Sequence, residues 1–159
     1  MLVRLLPALL LALALAAPAA APAQSPLITP LTTGGTVLLG GRLALRVEVA
    51  LTEDEKARGL SGRTGLSPGT GMVFVYPEPG FRSMWMLGMR FPLDFLWIRD
   101  GRIVDLFENI PPPREGESPV SVTSPEPAQH ILELPAGSIR AYRLRRGDTA
   151  EVRVNHKTP

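Results

Sequence analysis

Leu93-Asp94-Phe95-Leu96-Trp97-Ile98-Arg99-Asp100-Gly101-Arg102-Ile103-Val104-Asp105-Leu106-Phe107-Glu108 decides the fold. Two runs rich in β-branched and aromatic residues flank Asp100-Gly101, a dipeptide that accepts positive φ at both central positions of a type I′ turn. The run therefore predicts a β-hairpin. A two-residue loop pairs Arg99 with Arg102, Ile98 with Ile103, Leu96 with Asp105 and Asp94 with Phe107. Asp94, Leu96, Ile98, Ile103, Asp105 and Phe107 then share one face, with Phe95, Trp97, Val104 and Leu106 on the other. Both faces are largely apolar, which places the hairpin centrally. Asp94 and Asp105 are the exceptions, diagonal neighbours with Cβ atoms about 7–8 Å apart. A carboxylate among Leu, Ile and Phe must be hydrogen-bonded, paired or raised in pKa.

Outward from the hairpin, Leu43, Leu45, Val47 and Val49 alternate with Arg42, Ala44, Arg46 and Glu48, the period of a half-buried strand. Thr52-Glu-Asp-Glu55 is a capping box, and it opens a short helix that ends near Arg58-Gly59. Met72 to Val75 predicts a strand that Pro77 and Pro79 break, and Ser83 to Met86 starts another. Asn109 to Pro127 is too polar and proline-rich for core. His130 to Leu134, Ser138 to Leu144 and Thr149 to Val154 complete the strands. The expectation is a mainly β fold: a compact, largely antiparallel, barrel-like sheet, closed or half-closed, with one short helix. A single domain over residues 36–154 holds it.

Residues 1–23 are a different material. Arg4 precedes an almost pure Leu/Ala run from Leu5 to Ala17, and Ala21-Pro-Ala23 supplies the small residues of a cleavage site. The run is too short for a bilayer-spanning helix and is cut by Pro7 and Pro18. A cleaved signal peptide over 1–23 is expected, then a flexible lead-in over 24–35 and an exported, periplasmic or extracellular domain with no membrane span. Without Arg4, 16 Lys and Arg face 15 Asp and Glu, a balance that does not single out nucleic acid. Cysteine is absent, which excludes disulfides, thiol chemistry and Cys zinc sites.

Several blocks fall in a fixed order: Arg58-Gly-Leu-Ser-Gly-Arg63, Gly71-Met-Val-Phe-Val-Tyr76, Met84-Trp-Met-Leu-Gly-Met89, Pro92-Leu-Asp94 and Leu132-Glu-Leu-Pro-Ala-Gly137. In combination they closely resemble the small prokaryotic family of domain of unknown function 192. The resemblance implies a β domain without an established activity, and it puts the motif carboxylates at Asp94 and Glu133. Two departures stand out. Leu87-Gly88 replaces a Lys-Asn type dipeptide, and Pro111-Pro-Pro-Arg114 lacks a Cys that the family often carries there.

Three functional readings follow. The first is a binding or structural role without turnover, in a cleft lined by Trp85, Met86, Asp94 and Glu133, with Arg58 and Arg63 as partners of the carboxylates. The second is a hydrolase that pairs Asp94 with Asp105 or Glu133. The third is a Cu(I) site from the thioethers of Met84, Met86 and Met89, with His130 adding a nitrogen. Core packing is the plainer explanation of those methionines. For Asp94 the plainer explanation is structural: beside Pro92, which has no N–H to give, its carboxylate binds nearby backbone donors or pairs with Arg58, Arg63 or Arg90. No nucleophile elbow, phosphate-cradling loop or cofactor motif is present, so no cofactor is expected. The expected partner is a small ligand or an envelope protein, met by a monomer.

Overall fold

The computed structural model describes residues 33–155. The expected signal peptide and most of the expected lead-in lie outside them, as does His156. The fold is mostly β, a seven-stranded sheet curled into a half-barrel with two short helices. In chain order the elements are β1 (Gly34–Leu39), β2 (Leu43–Ala50), α1 (Glu53–Arg58), β3 (Thr70–Gly80), β4 (Ser83–Trp85), β5 (Leu93–Arg99), β6 (Arg102–Ile110), β7 (Ser121–Thr123), β8 (Ala128–Pro135), α2 (Ser138–Tyr142) and β9 (Ala150–Val154). The sheet order is β6-β5-β8-β3-β2-β1-β9, and β4 with β7 forms a separate two-stranded sheet. The edge strands β6 and β9 meet at one corner only, through an Arg102–Thr149 bridge. The barrel stays open.

The central hairpin forms as its turn residues require. Asp100 and Gly101 both take positive φ, 51° and 69°, and Arg99–Arg102 and Ile98–Ile103 pair in the expected register. Beyond Ile98 the register shifts. Trp97 faces Asp105, Leu96 faces Leu106 and Phe95 faces Phe107. One extra residue in β6 moves Asp105 out of phase with Asp94, so the expected diagonal carboxylate pair does not exist.

Three other expectations are corrected. Where a strand over 138–144 was expected, residues 138–142 form α2 with Arg143 as its C-cap, so the described residues hold two helices. Extended backbone continues through Pro77 and Pro79, but the β3–β8 ladder lapses between Val75 and Gly80, where missing N–H groups do no harm. Gly34 and Gly35, read as lead-in, already belong to β1.

Alternation along the strands divides the core into two faces. Val37, Leu45, Val73, Leu96, Ile103, Leu132 and Ala150 belong to one cluster with residues from all seven strands, closed by Ile139 and Leu144. That cluster is the inside of the curl. Met72, Phe74, Phe95, Trp97 and Ile131 face outward and are covered by Leu60, Met84, Met86 and Met89. β2 and β3 are the parallel pair of the sheet. Parallel neighbours need a crossover, and this one carries α1 and the following loop across a face. α1 itself is fixed by the expected capping box, Thr52 and Glu55 each bonding the other's backbone N–H.

β3 and β8 approach closely at Gly71. A Cβ there would meet the Glu133 carbonyl oxygen at 2.7 Å and Leu134 Cδ2 at 3.0 Å. Gly71→Ala is expected to destabilise by about 1–3 kcal/mol through forced separation of the strands. A lower denaturation midpoint at unchanged slope checks this.

Candidate functional site

The crossover and the small sheet leave a groove between them on the outward face. α1 contributes Glu53, Lys56 and Ala57, β3 contributes Phe74 and Tyr76, and β4 contributes Ser83, Met84 and Trp85. The groove encloses about 290 Å3. At its mouth Trp85 is more than half exposed, and nearby in the chain Phe81 and Leu87 are exposed as well. Inside, the Lys56 ammonium lies 4.3 Å and the Arg82 guanidinium 4.1 Å from the Tyr76 ring centroid. These contacts hold the ring in place between α1 and the β3–β4 turn. Burial also raises the pKa of the Tyr76 hydroxyl, so it remains a neutral donor.

Beneath the groove lies a small cavity of about 20 Å3, lined again by Lys56, Ala57, Phe74, Met84 and Trp85 and in addition by Met89 and Glu133. It has room for roughly one water. Glu133 is 4% exposed, and its Oε2 has no hydrogen-bond partner among the described residues. Loss of hydration pushes its carboxyl up to about 8, against a smaller opposing pull from Arg63. At neutral pH it is therefore mainly the neutral acid, a hydrogen-bond donor as well as an acceptor.

Arg63 does not bond Glu133. Its Nη1 and Nη2 donate to Glu48 at 2.5 and 2.8 Å in a bidentate pair that anchors the loop after α1 to β2. Its Nε is buried without a hydrogen-bond partner among the described residues. Glu48 is the residue that sequence reasoning missed. As the lone acid on the polar side of β2, it was as available to Arg63 as Glu133 was. The groove walls Lys56, Phe74 and Tyr76 were missed as well. Of the residues named from sequence, Arg58, Trp85, Met84, Met89 and Glu133 meet at the small cavity. Met86 packs in the same outward core.

The remaining candidates lie elsewhere. Asp94 pairs in register with Leu134, one step from Glu133, so the two side chains point to opposite faces of the sheet. Asp94 is buried, and its two oxygens accept from the backbone N–H of Asn109 and of Ile139, both at 2.8 Å. Asp105 bonds Arg146 and its neighbour's backbone N–H. It sits on β6, with β5 between it and β8, so about 10 Å of sheet separates it from Glu133. His130 pairs in register with Ile98 and faces the inside of the curl, away from the methionines. Burial lowers its pKa and keeps it neutral.

With this geometry in hand, comparison with known proteins gives a family and two solved structures. The model of domain of unknown function 192, described as an uncharacterized ACR, matches residues 36–152. A solved protein of Sinorhizobium meliloti 1021, which carries a provisional assignment as a transcription regulator, is 31% identical. It superposes with a TM-score of 0.66 over 76% of this chain and 92% of its own. A protein of unknown function from Novosphingobium aromaticivorans DSM 12444 is 30% identical, also at a TM-score of 0.66, over 84% of this chain and 94% of its own. Nothing among the curated proteins matches the chain.

Proposed function

We propose, on the premise that this chain belongs to the family of domain of unknown function 192, that it is an exported binding protein of the cell envelope. It acts as a single chain and takes a small ligand in the groove between α1 and β4. A flat apolar part lies against Phe74, Tyr76 and Trp85, and a polar end reaches the Glu133 carboxyl. The composition of residues 1–23 supports the export reading. One observation carries the binding reading: a buried carboxyl oxygen without a partner among the described residues lines a small cavity that shares Lys56, Phe74, Met84 and Trp85 with the groove. Buried polar atoms are ordinarily satisfied, and an orphan beside a cavity is what an incoming group would satisfy.

The hydrolase reading loses support from the same geometry. Carboxylates on opposite faces, or two strands apart, cannot hold one water between them. The Cu(I) reading keeps one favourable feature, since Met84 and Met89 both line the cavity beside Glu133. Cu(I) therefore belongs in the ligand screen.

That screen is thermal, with sugars, cell-wall fragments, small aromatic carbonyl compounds and Cu(I). A ligand at one hundred times its Kd stabilises by about 2.7 kcal/mol, a shift of several degrees for a domain of this size. Trp85 is 55% exposed, so Trp85→Ala is expected to leave the melting temperature within about 2 °C. The same change should weaken any groove ligand at least tenfold, roughly 1.4 kcal/mol. For Cu(I), Met84→Leu is the matching variant. A screen whose hits all survive Trp85→Ala contradicts the groove as the site.

A further inference from the structure

We propose a second, independent site: a cleft at the α2 end of the half-barrel that takes a phosphate-bearing anion between Arg42 and Arg143. The cleft encloses about 620 Å3 between the β1–β2 turn and the end of α2, within the range of small-molecule sites. Leu39, Leu43 and Leu144 give it an apolar floor, and Tyr142, Arg42 and Arg143 stand around it.

Two observations carry the inference. The first is the state of the guanidinium groups. Arg140 pairs with Glu108 and Arg146 with Asp105, but among the described residues Arg42 and Arg143 have neither an ion pair nor a side-chain hydrogen bond. The one acid of the lining, Asp148, is held in its own turn by accepting from the Arg145 backbone N–H at 2.8 Å. Two arginines therefore line the cleft without a protein partner among the described residues, and a phosphoryl group is what their planar forks match.

The second observation is backbone conformation. Arg143 caps α2 in the left-handed region, at φ 57° and ψ 41°. Helix ends of this kind ordinarily take Gly. Elsewhere among the described residues such positions are glycines, or else Asp100 and Asn109, residue types that tolerate the conformation. Arg143 alone departs. A strained residue at a cleft is an observation that points to use of its side chain.

Phosphoryl oxygens have two sources here, a soluble oligophosphate or an anionic lipid headgroup, and the experiment separates them. Calorimetric titration with tripolyphosphate and co-sedimentation with phosphatidylglycerol vesicles are run on the wild type, Arg143→Gly and Arg42→Gln. Arg143→Gly relieves the backbone strain, so it should melt no lower than wild type, yet lose about tenfold or more in affinity. Arg42→Gln should lose a similar factor. Saturable tripolyphosphate binding that both variants weaken supports a soluble ligand. Vesicle binding alone, weakened by both, supports a headgroup. Absence of saturable binding in both arms overturns the proposal, as does wild-type affinity in either variant.

Discussion

Asp94→Ala is expected to lower the unfolding free energy by about 3–5 kcal/mol, a large part of the stability of a domain this size. The carboxylate is wholly buried and joins three elements. From β5 it accepts the Asn109 N–H in the kinked end of β6 and the Ile139 N–H in the first turn of α2. Removing it leaves two buried donors unsatisfied, at about 1–3 kcal/mol each, and a void besides. Asp94→Asn keeps one acceptor but turns an NH2 toward the other donor, so about half the loss is expected. Denaturant unfolding measures both. A loss below about 1 kcal/mol in the alanine variant would show that these bonds hold nothing together.

The second large effect concerns Glu133 and pH. Folding raises its pKa from the ordinary 4.5 to about 8. Between those values the native state keeps a proton that the unfolded chain has released. The contribution of Glu133 to stability is therefore fully present below about pH 4.5 and is lost as pH rises through 8, by up to several kcal/mol. Glu133→Gln removes the ionisable group and keeps its shape. The variant should match wild type within about 1 kcal/mol at pH 4.5 and exceed it by about 2–4 kcal/mol at pH 8.5. Parallel curves for the two proteins from pH 4.5 to 8.5 would contradict this. The implied destabilisation at working pH is what a site kept for binding costs, and a ligand that hydrogen-bonds the acid would restore it.

How far the sequence foretold this molecule depended on the range of the interaction involved. The Asp100-Gly101 turn and the Thr52–Glu55 box were legible because each is settled within four residues. The bulge that moves Asp105 was not, since one inserted residue between Ile103 and Asp105 leaves no local mark in the sequence. α2 was misread because Ile139, Ala141 and Arg143 alternate with Arg140, Tyr142 and Leu144 as a strand would. The short helix is instead organised from a distance, by a carboxylate 45 residues away that accepts the Ile139 N–H.

The site divides the same way. Glu133 and Asp94 were identifiable as the acids to examine; of the two structural readings of Asp94, backbone donors or an arginine partner, the structure shows the first. The partner of Arg63 was not identifiable. Glu48 and Glu133 are equally plausible by composition, and only the crossover through α1 brings Arg63 to β2. Of the four methionines, Met84 and Met89 meet at the small cavity. All four lie in the outward core, where flexible thioethers fill the gap between the sheet and its cover.

The central claim is that a neutral acid is held, unsatisfied, beneath the groove. Its most direct test is an NMR pH titration of the Glu133 side-chain carboxyl carbon in the intact folded protein, assigned by comparison with Glu133→Gln. A midpoint near 8 is the expected result, and a midpoint near 4.5, the ordinary glutamate value, would contradict it.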